Sequence, residues 1–225
     1  MTALLYGWPA AAKFGSRVPK DKFYEHGTVT TAVREKFVSE VQRITWAYKL
    51  AESTINLPGT EAVPEVQVFQ IDAKGADVSE AVLAAIDKAI PFPIIFEITR
   101  PVAALGSGHG VIRMTAAHKH AGTGAPKLSS YFTTDWLPAD QERLSLPTAI
   151  TLPALYASLL EPLTKVQVRP GEDVSEVAAR LKTIGALERD IEALKRKLRS
   201  EKQFNFKVEL RRELKARQAQ LEQQR

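Results

Sequence analysis

The chain has 225 residues, 44% of them hydrophobic and 25% charged, with 31 Lys and Arg against 26 Asp and Glu. That length suits one hydrophobic core plus an appendage, and the composition excludes global disorder and fibrous repeats. Because there is no cysteine, disulfides, thiolate zinc sites, iron–sulfur clusters and cysteine nucleophiles are excluded, and a reducing, cytoplasmic location is expected.

The first twelve residues are apolar but are broken by Gly7 and Pro9 and carry no basic leader, so they are expected to be structure and not a secretion signal. No apolar run approaches the roughly 20 residues that span a bilayer. From Pro19 to Val41 the pattern predicts two helical pieces, the second capped by Thr30 or Thr31 with Val33, Phe37 and Val41 on one face. The period then changes to two: Ile44, Trp46, Tyr48 and Leu50 alternate with smaller or polar residues, which predicts a strand with one large apolar face. Pro58 and Gly59 close a loop before a second strand through Val66, Val68, Phe69 and Ile71.

Asp77 or Ser79 caps a predicted helix running to about Ala89, with Val82, Leu83, Ile86 and Ile90 on its buried stripe. Ile94 to Ile98 is short, β-branched and bounded by prolines, as in a strand covered on both faces. Strands near Val111–Ala117 and Leu128–Thr134, separated by a glycine-containing loop, predict an antiparallel hairpin. A helix from Thr151 to Leu163 then packs back on the sheet, and Pro170-Gly171 marks the exit. The expected fold class is therefore α+β, with a mixed, largely antiparallel sheet and flanking helices in residues 1–170.

Residues 171–225 form a charged helical arm. Val174, Val177, Leu181, Ile184, Leu187, Ile191, Leu194 and Leu198 recur at spacings of three and four, which makes a continuous apolar seam. The seam loses register around Ser200–Phe206 and resumes at Leu210, Leu214 and Leu221, as in a helical hairpin with a basic tip; one long helix with a stutter is the alternative. From Lys195 to Arg217 ten basic residues face three acidic ones, so this segment is where a polyanion would be attracted.

Catalytic chemistry finds little support. Glu65-Val66-Gln67 with Asp72 resembles the acidic strand of magnesium-dependent nucleases, so Glu65 and Asp72 are the candidate catalytic residues, yet Gln67 occupies the usual lysine position. His118 and His120, with His109 nearby, lack the partner that would complete a metal shell and are expected to be solvent-exposed. The Gly106-Ser107-Gly108-His109-Gly110 loop has no following Gly-Lys-Ser/Thr and opens no helix, so it reads as a hairpin connection. Ser129, Ser130 and Asp135 lack nucleophile-elbow spacing. Phe204 and Phe206 are expected to fill the hairpin turn, with base stacking as the competing role. No metal site and no cofactor is expected.

Lys36-Phe37 through Val41, Ile44, Trp46, Tyr48-Lys49-Leu50, Thr54 to Leu57 and Val66 to Phe69 together resemble a bacterial family of domains of unknown function, number 4391. The resemblance continues through Ile86 to Pro91, Ile95-Phe96, Asp135-Trp136 and Glu201 to Asn205. It implies a context: accessory proteins encoded beside DNA methyltransferase and helicase genes in restriction-type phage-defence loci. The expected function is accordingly a non-catalytic accessory subunit with a methyltransferase or helicase partner. In it Lys195, Lys202, Lys207, Arg211 and Arg212 would hold nucleic acid, and Leu187, Ile191, Leu194, Leu198, Leu210 and Leu214 would face the partner. A metal-dependent nuclease and a homodimerising structural protein are the alternatives.

Overall fold

A computed structural model describes residues 5–25, 29–101, 110–120, 127–164, 174–201 and 203–224. The chain divides into two compact units, residues 1–165 and 166–225. The first is an α+β body built on one sheet. Its strands are β1 (Lys13–Arg17), β2 (Val41–Ala51), β3 (Glu65–Ala73), β4 (Ile94–Arg100), β5 (Val111–His120), β6 (Lys127–Thr133) and β7 (Leu137–Pro138). The order runs β1 to β6 in sequence, with β7 pairing β5 beyond the end of β6. Every pair is antiparallel except β3 with β4. That parallel step requires a crossover, which α4 (Glu80–Ala89) supplies.

One face of the sheet carries Ile44, Phe69, Ile71, Ile94, Phe96 and Ile98, which share a core with residues of α1 (Asp21–Glu25), α2 (Thr31–Glu40) and α4. Thr30 caps α2 by accepting from the Val33 amide. The spacing of Val82, Leu83 and Ile86 turns all three inward and buries them. Each such side chain contributes about 1.5–3 kcal/mol on burial. On the opposite face Val66, Val68, Ile95, Met114 and Ala116 are buried as well. Here α5 (Leu152–Thr164) lies over β5, its Tyr156 hydroxyl donating to the Ala117 carbonyl at 3.0 Å. A sheet covered on both sides explains why Ile94–Ile98 is apolar on both faces apart from Glu97, which buried partners satisfy.

Three departures from the sequence pattern shape the body. The alternation through β2 breaks at a bulge between Trp46 and Tyr48, so the two rings leave on opposite faces: Trp46 stacks on Phe69, while Tyr48 meets Trp8. Strand β1 pairs along β2 at the sheet edge with all five residues exposed, and its register slips where Gly15 takes a φ of 69°. A one-turn helix, α3 (Glu52–Ile55), follows β2 and ends on Asn56 in the left-handed conformation.

The second unit is an antiparallel helical hairpin, α6 (Val174–Ser200) and α7 (Phe204–Gln224), which settles the choice between a hairpin and one long helix. No helix among the described residues is long and apolar enough to cross a membrane.

Candidate nucleic-acid interface

The ionisable side chains inside the body are held by internal partners. Glu97, fully buried on β4, accepts from Trp8 Nε1 at 2.8 Å, Gln70 Nε2 at 2.9 Å and Arg143 Nη1 at 2.6 Å. Lys119 Nζ lies 2.9 Å from Asp87 Oδ1 with both side chains buried, and donates to the carbonyls of Asp87, Ile90 and Phe92 at 2.6–2.8 Å. The ammonium thus caps the C-terminal end of α4, where the helix dipole and orphan carbonyls favour a cation. Burial pushes the Asp87 carboxyl up, against the opposing pull of Lys119 and a hydrogen bond from Tyr131, and pushes Lys119 down. These groups hold the fold together and present no reactive atom to solvent.

Glu65 and Asp72 do not converge. Both lie on β3, but an odd separation of seven residues puts them on opposite faces, roughly 23 Å apart along the strand at about 3.3 Å per residue. Glu65 is taken by Lys49 at 2.8 Å and by Gln67. Asp72 is taken by Arg43 and Thr99, each at 2.7 Å. Among the described residues no three His, Asp or Glu side chains form a group able to hold a metal ion. His118 corrects a further expectation: it is buried and stacks on Tyr156 with ring centroids 6.3 Å apart. Its face of β5 lies under α5, which the strand pattern alone did not reveal. His109 and residues 106–108 lie outside the described residues. Ser129 and Ser130 fall within β6, and Trp136 receives the guanidinium groups of Arg100 and Arg113 over its ring at 4.3 and 4.9 Å.

The hairpin closes its own seam. Ile184, Leu187, Ile191, Leu194 and Leu221 are buried, and Leu198, Leu210 and Leu214 are half-buried. The six leucine and isoleucine positions expected to face a partner are therefore turned largely inward, because antiparallel helices cover each other's apolar stripe. What remains outward carries both signs: Asp190, Glu192, Glu209 and Glu213 are exposed among the cations. Arg196, Lys197 and Arg199 at the end of α6 and Arg211, Arg212 and Lys215 on α7 are all exposed. Of the residues singled out from sequence, Arg211 and Arg212 project to solvent and Lys207 is half-buried. Lys195 is drawn to Glu192 at 2.8 Å, and Lys202 lies outside the described residues. Arg196, Lys197, Arg199 and Lys215, which were not singled out from sequence, are exposed on the same two helices.

Phe206 does not plug the turn: it is 52% exposed, and Val208 is 48% exposed. The cations at the end of α6 suit its dipole. At the start of α7 the cation in the first turn is Lys207, which opposes the dipole, while Arg211 and Arg212 lie beyond that turn. A cation so placed costs roughly 0.3–1 kcal/mol at a helix N-terminus.

The family model described as a domain of unknown function, DUF4391, matches residues 6–221, and the chain belongs to that family. No curated protein and no solved structure matches it.

Proposed function

We infer that the chain is an accessory protein that binds nucleic acid through the basic end of the α6–α7 hairpin and works beside a DNA-modifying partner. The observation that carries the reading is the exposure of Arg196, Lys197, Arg199, Arg211, Arg212 and Lys215 in a segment where ten basic residues stand against three acidic ones. A phosphate backbone rewards such an excess of exposed cations through counterion release. Side chains of this length on two adjacent helices can track a backbone without reading bases.

A binding role is favoured over a catalytic one because the carboxylates of the body are engaged: Glu65, Asp72, Asp87 and Glu97 each have a cationic or hydrogen-bonding partner. The DNA-modification and phage-defence context, with a methyltransferase or helicase subunit as partner, rests on the resemblance of the chain to proteins of such loci. With the seam closed, the exposed apolar side chains left to a protein partner include Phe206 and, on another face of α7, Val208.

The two arms are tested separately. A mobility-shift titration with duplex DNA compares the intact chain with Arg211→Gln/Arg212→Gln, and the expected result is a weaker complex for the variant at every salt concentration. Co-purification with the neighbouring methyltransferase or helicase is expected to drop in Phe206→Ser/Val208→Ser. Undiminished recovery of the partner would remove the hairpin from that contact.

A further inference from the structure

On the helical face of the body a cleft of about 350 Å³ opens between α1, the end of α4 and strands β2 and β3. Phe23, Trp46, Phe69, Ile90 and Phe92 make up most of its wall. Two polar groups in that wall are engaged elsewhere: the Trp46 indole N–H is donated to the Tyr48 carbonyl, and Gln67 Nε2 to Glu65. A small polar ligand is oriented by a few groups that converge on it, whereas this cleft offers mainly apolar area. The apolar surface also continues past the cleft. Phe14 of β1 lies on Trp46 with ring centroids 4.0 Å apart and is itself 50% exposed, which carries the wall outward to the edge of the sheet.

The cations of the body gather on the same side. Between Lys13 and Lys49, the stretch that forms β1, α1, α2 and β2, eight Lys and Arg stand against four Asp and Glu. The rest of residues 1–171 carries nine against twelve, so the basic excess is local to this side. Arg17 precedes the lining residue Val18 and is exposed, as is Lys88 before the lining residue Ala89. Lys22 lines the cleft itself. Its contact with Glu25 is long, at 3.5 Å, with the side chains 61% and 60% exposed, and a pair of that kind holds a cation only weakly. Lys20 is spent on the fold, donating to the Phe37 and Val41 carbonyls. The exposed charges nearest in sequence to the lining are therefore Arg17, Lys22 and Lys88, with Asp21 and Glu25 opposing them.

We propose that this surface docks an acidic segment of a protein partner, with one apolar side chain of the segment entering the cleft and its carboxylates meeting Arg17, Lys22 and Lys88. An apolar anchor buried in a pocket and ringed by polar contacts is how protein segments are held, and opposite charge steers the segment to the basic side of the body. Side chains carry the recognition, not an added strand. Strand β1 has five residues, bears Lys13 and Arg17, and is bulged at Gly15, features that keep a further strand off the edge. The three cations come from β1, α1 and α4, a spread that suits a polypeptide better than the single carboxylate of a small amphiphile. The surface belongs to the body and does not rest on the hairpin.

The test selects phage-displayed random peptides on the immobilised full chain, with counter-selection on Ala89→Leu, which fills the cleft from α4. The retained peptides are expected to share an apolar residue flanked by Asp and Glu. A synthetic peptide of that consensus then binds the intact chain saturably, and at least about tenfold more weakly in Ala89→Leu. Arg17→Glu/Lys22→Glu changes two exposed side chains and covers the case in which Ala89→Leu fails to fold. In it the same peptide binds about tenfold more weakly at low salt, and the gap closes as salt screens the charges. Retained peptides without acidic residues, peptides indifferent to both variants, or a selection that yields no binder overturn the proposal. Saturable binding of sodium laurate where no peptide binds assigns the cleft to an acyl chain and overturns it as well. So does duplex DNA whose binding weakens in Arg17→Glu/Lys22→Glu while the peptide's does not, since the cations then serve nucleic acid. Neither variant alters the hairpin, so failure here leaves the reading of the hairpin standing.

Discussion

Arg180 Nη1 donates to the Gln224 carbonyl oxygen at 2.9 Å and ties the second turn of α6 to the last turn of α7. The contact fixes the register of the hairpin at its open end, with the turn at Glu201–Gln203 fixing it at the other. Ile184 and Leu221 are buried just inside the tie.

Removing that tie should fray the open end and leave the tip intact. Arg180→Ala is expected to cost about 1–3 kcal/mol, the range for a buried hydrogen bond from a charged donor. Hydrogen exchange is then faster for amides in the last turns of α7, while amides near Arg211 keep their protection. Unchanged exchange at the open end would show that the apolar seam alone sets the register.

Lys119 makes a stronger prediction. Its ammonium satisfies one carboxylate and three carbonyls at the end of α4 with almost no exposure. Lys119→Met should therefore destabilise the body by about 3–5 kcal/mol, since it leaves Asp87 as an uncompensated buried charge. Urea unfolding measures this directly, and a loss below about 1 kcal/mol would mean that solvent reaches Asp87 in the variant.

Alkaline pH should weaken the fold through two tyrosines. Burial, then the nearby Asp87 carboxylate, pushes the hydroxyls of Tyr131 and Tyr156 well above the ordinary value of 10.0. Below pH 10 both are neutral whether the chain is folded or unfolded, so their contribution is fully present. Above it the unfolded chain ionises them and the folded chain does not, and stability falls as the pH rises. Each tyrosine contributes up to about 1.4 kcal/mol per pH unit. Urea unfolding between pH 9 and 12, followed by tyrosinate absorbance, should show ionisation of these groups only on unfolding, and Tyr156→Phe should lower the slope by one proton.

The body was legible in sequence wherever one segment carried its own signal. Ile94–Ile98 announced a doubly covered strand, the spacing of Val82, Leu83 and Ile86 announced a helix, and the seam from Ile184 to Leu198 announced a helix with a partner. Strand β1 was not legible, because Lys13–Arg17 buries nothing and is held by main-chain pairing to β2. The parallel pairing of β3 with β4 depends on the crossover by α4 and leaves no mark in either strand. Glu65 and Asp72 looked like a pair because sequence distance hides the face of the strand. At the hairpin, the density of charge was readable from the chain. The closure of the seam against the second helix, and hence the outward turn of the cations, required the structure.

The most direct test of the central claim is duplex DNA binding across a salt series, for the intact chain and for a variant with Lys207, Arg211 and Arg212 changed to Gln. The account predicts that the logarithm of the intact chain's affinity falls linearly with the logarithm of salt. It predicts that the variant's slope is shallower by about 0.9 for each phosphate contact removed. Identical affinity and slope in the two proteins, or no binding by the intact chain at low salt, would contradict it.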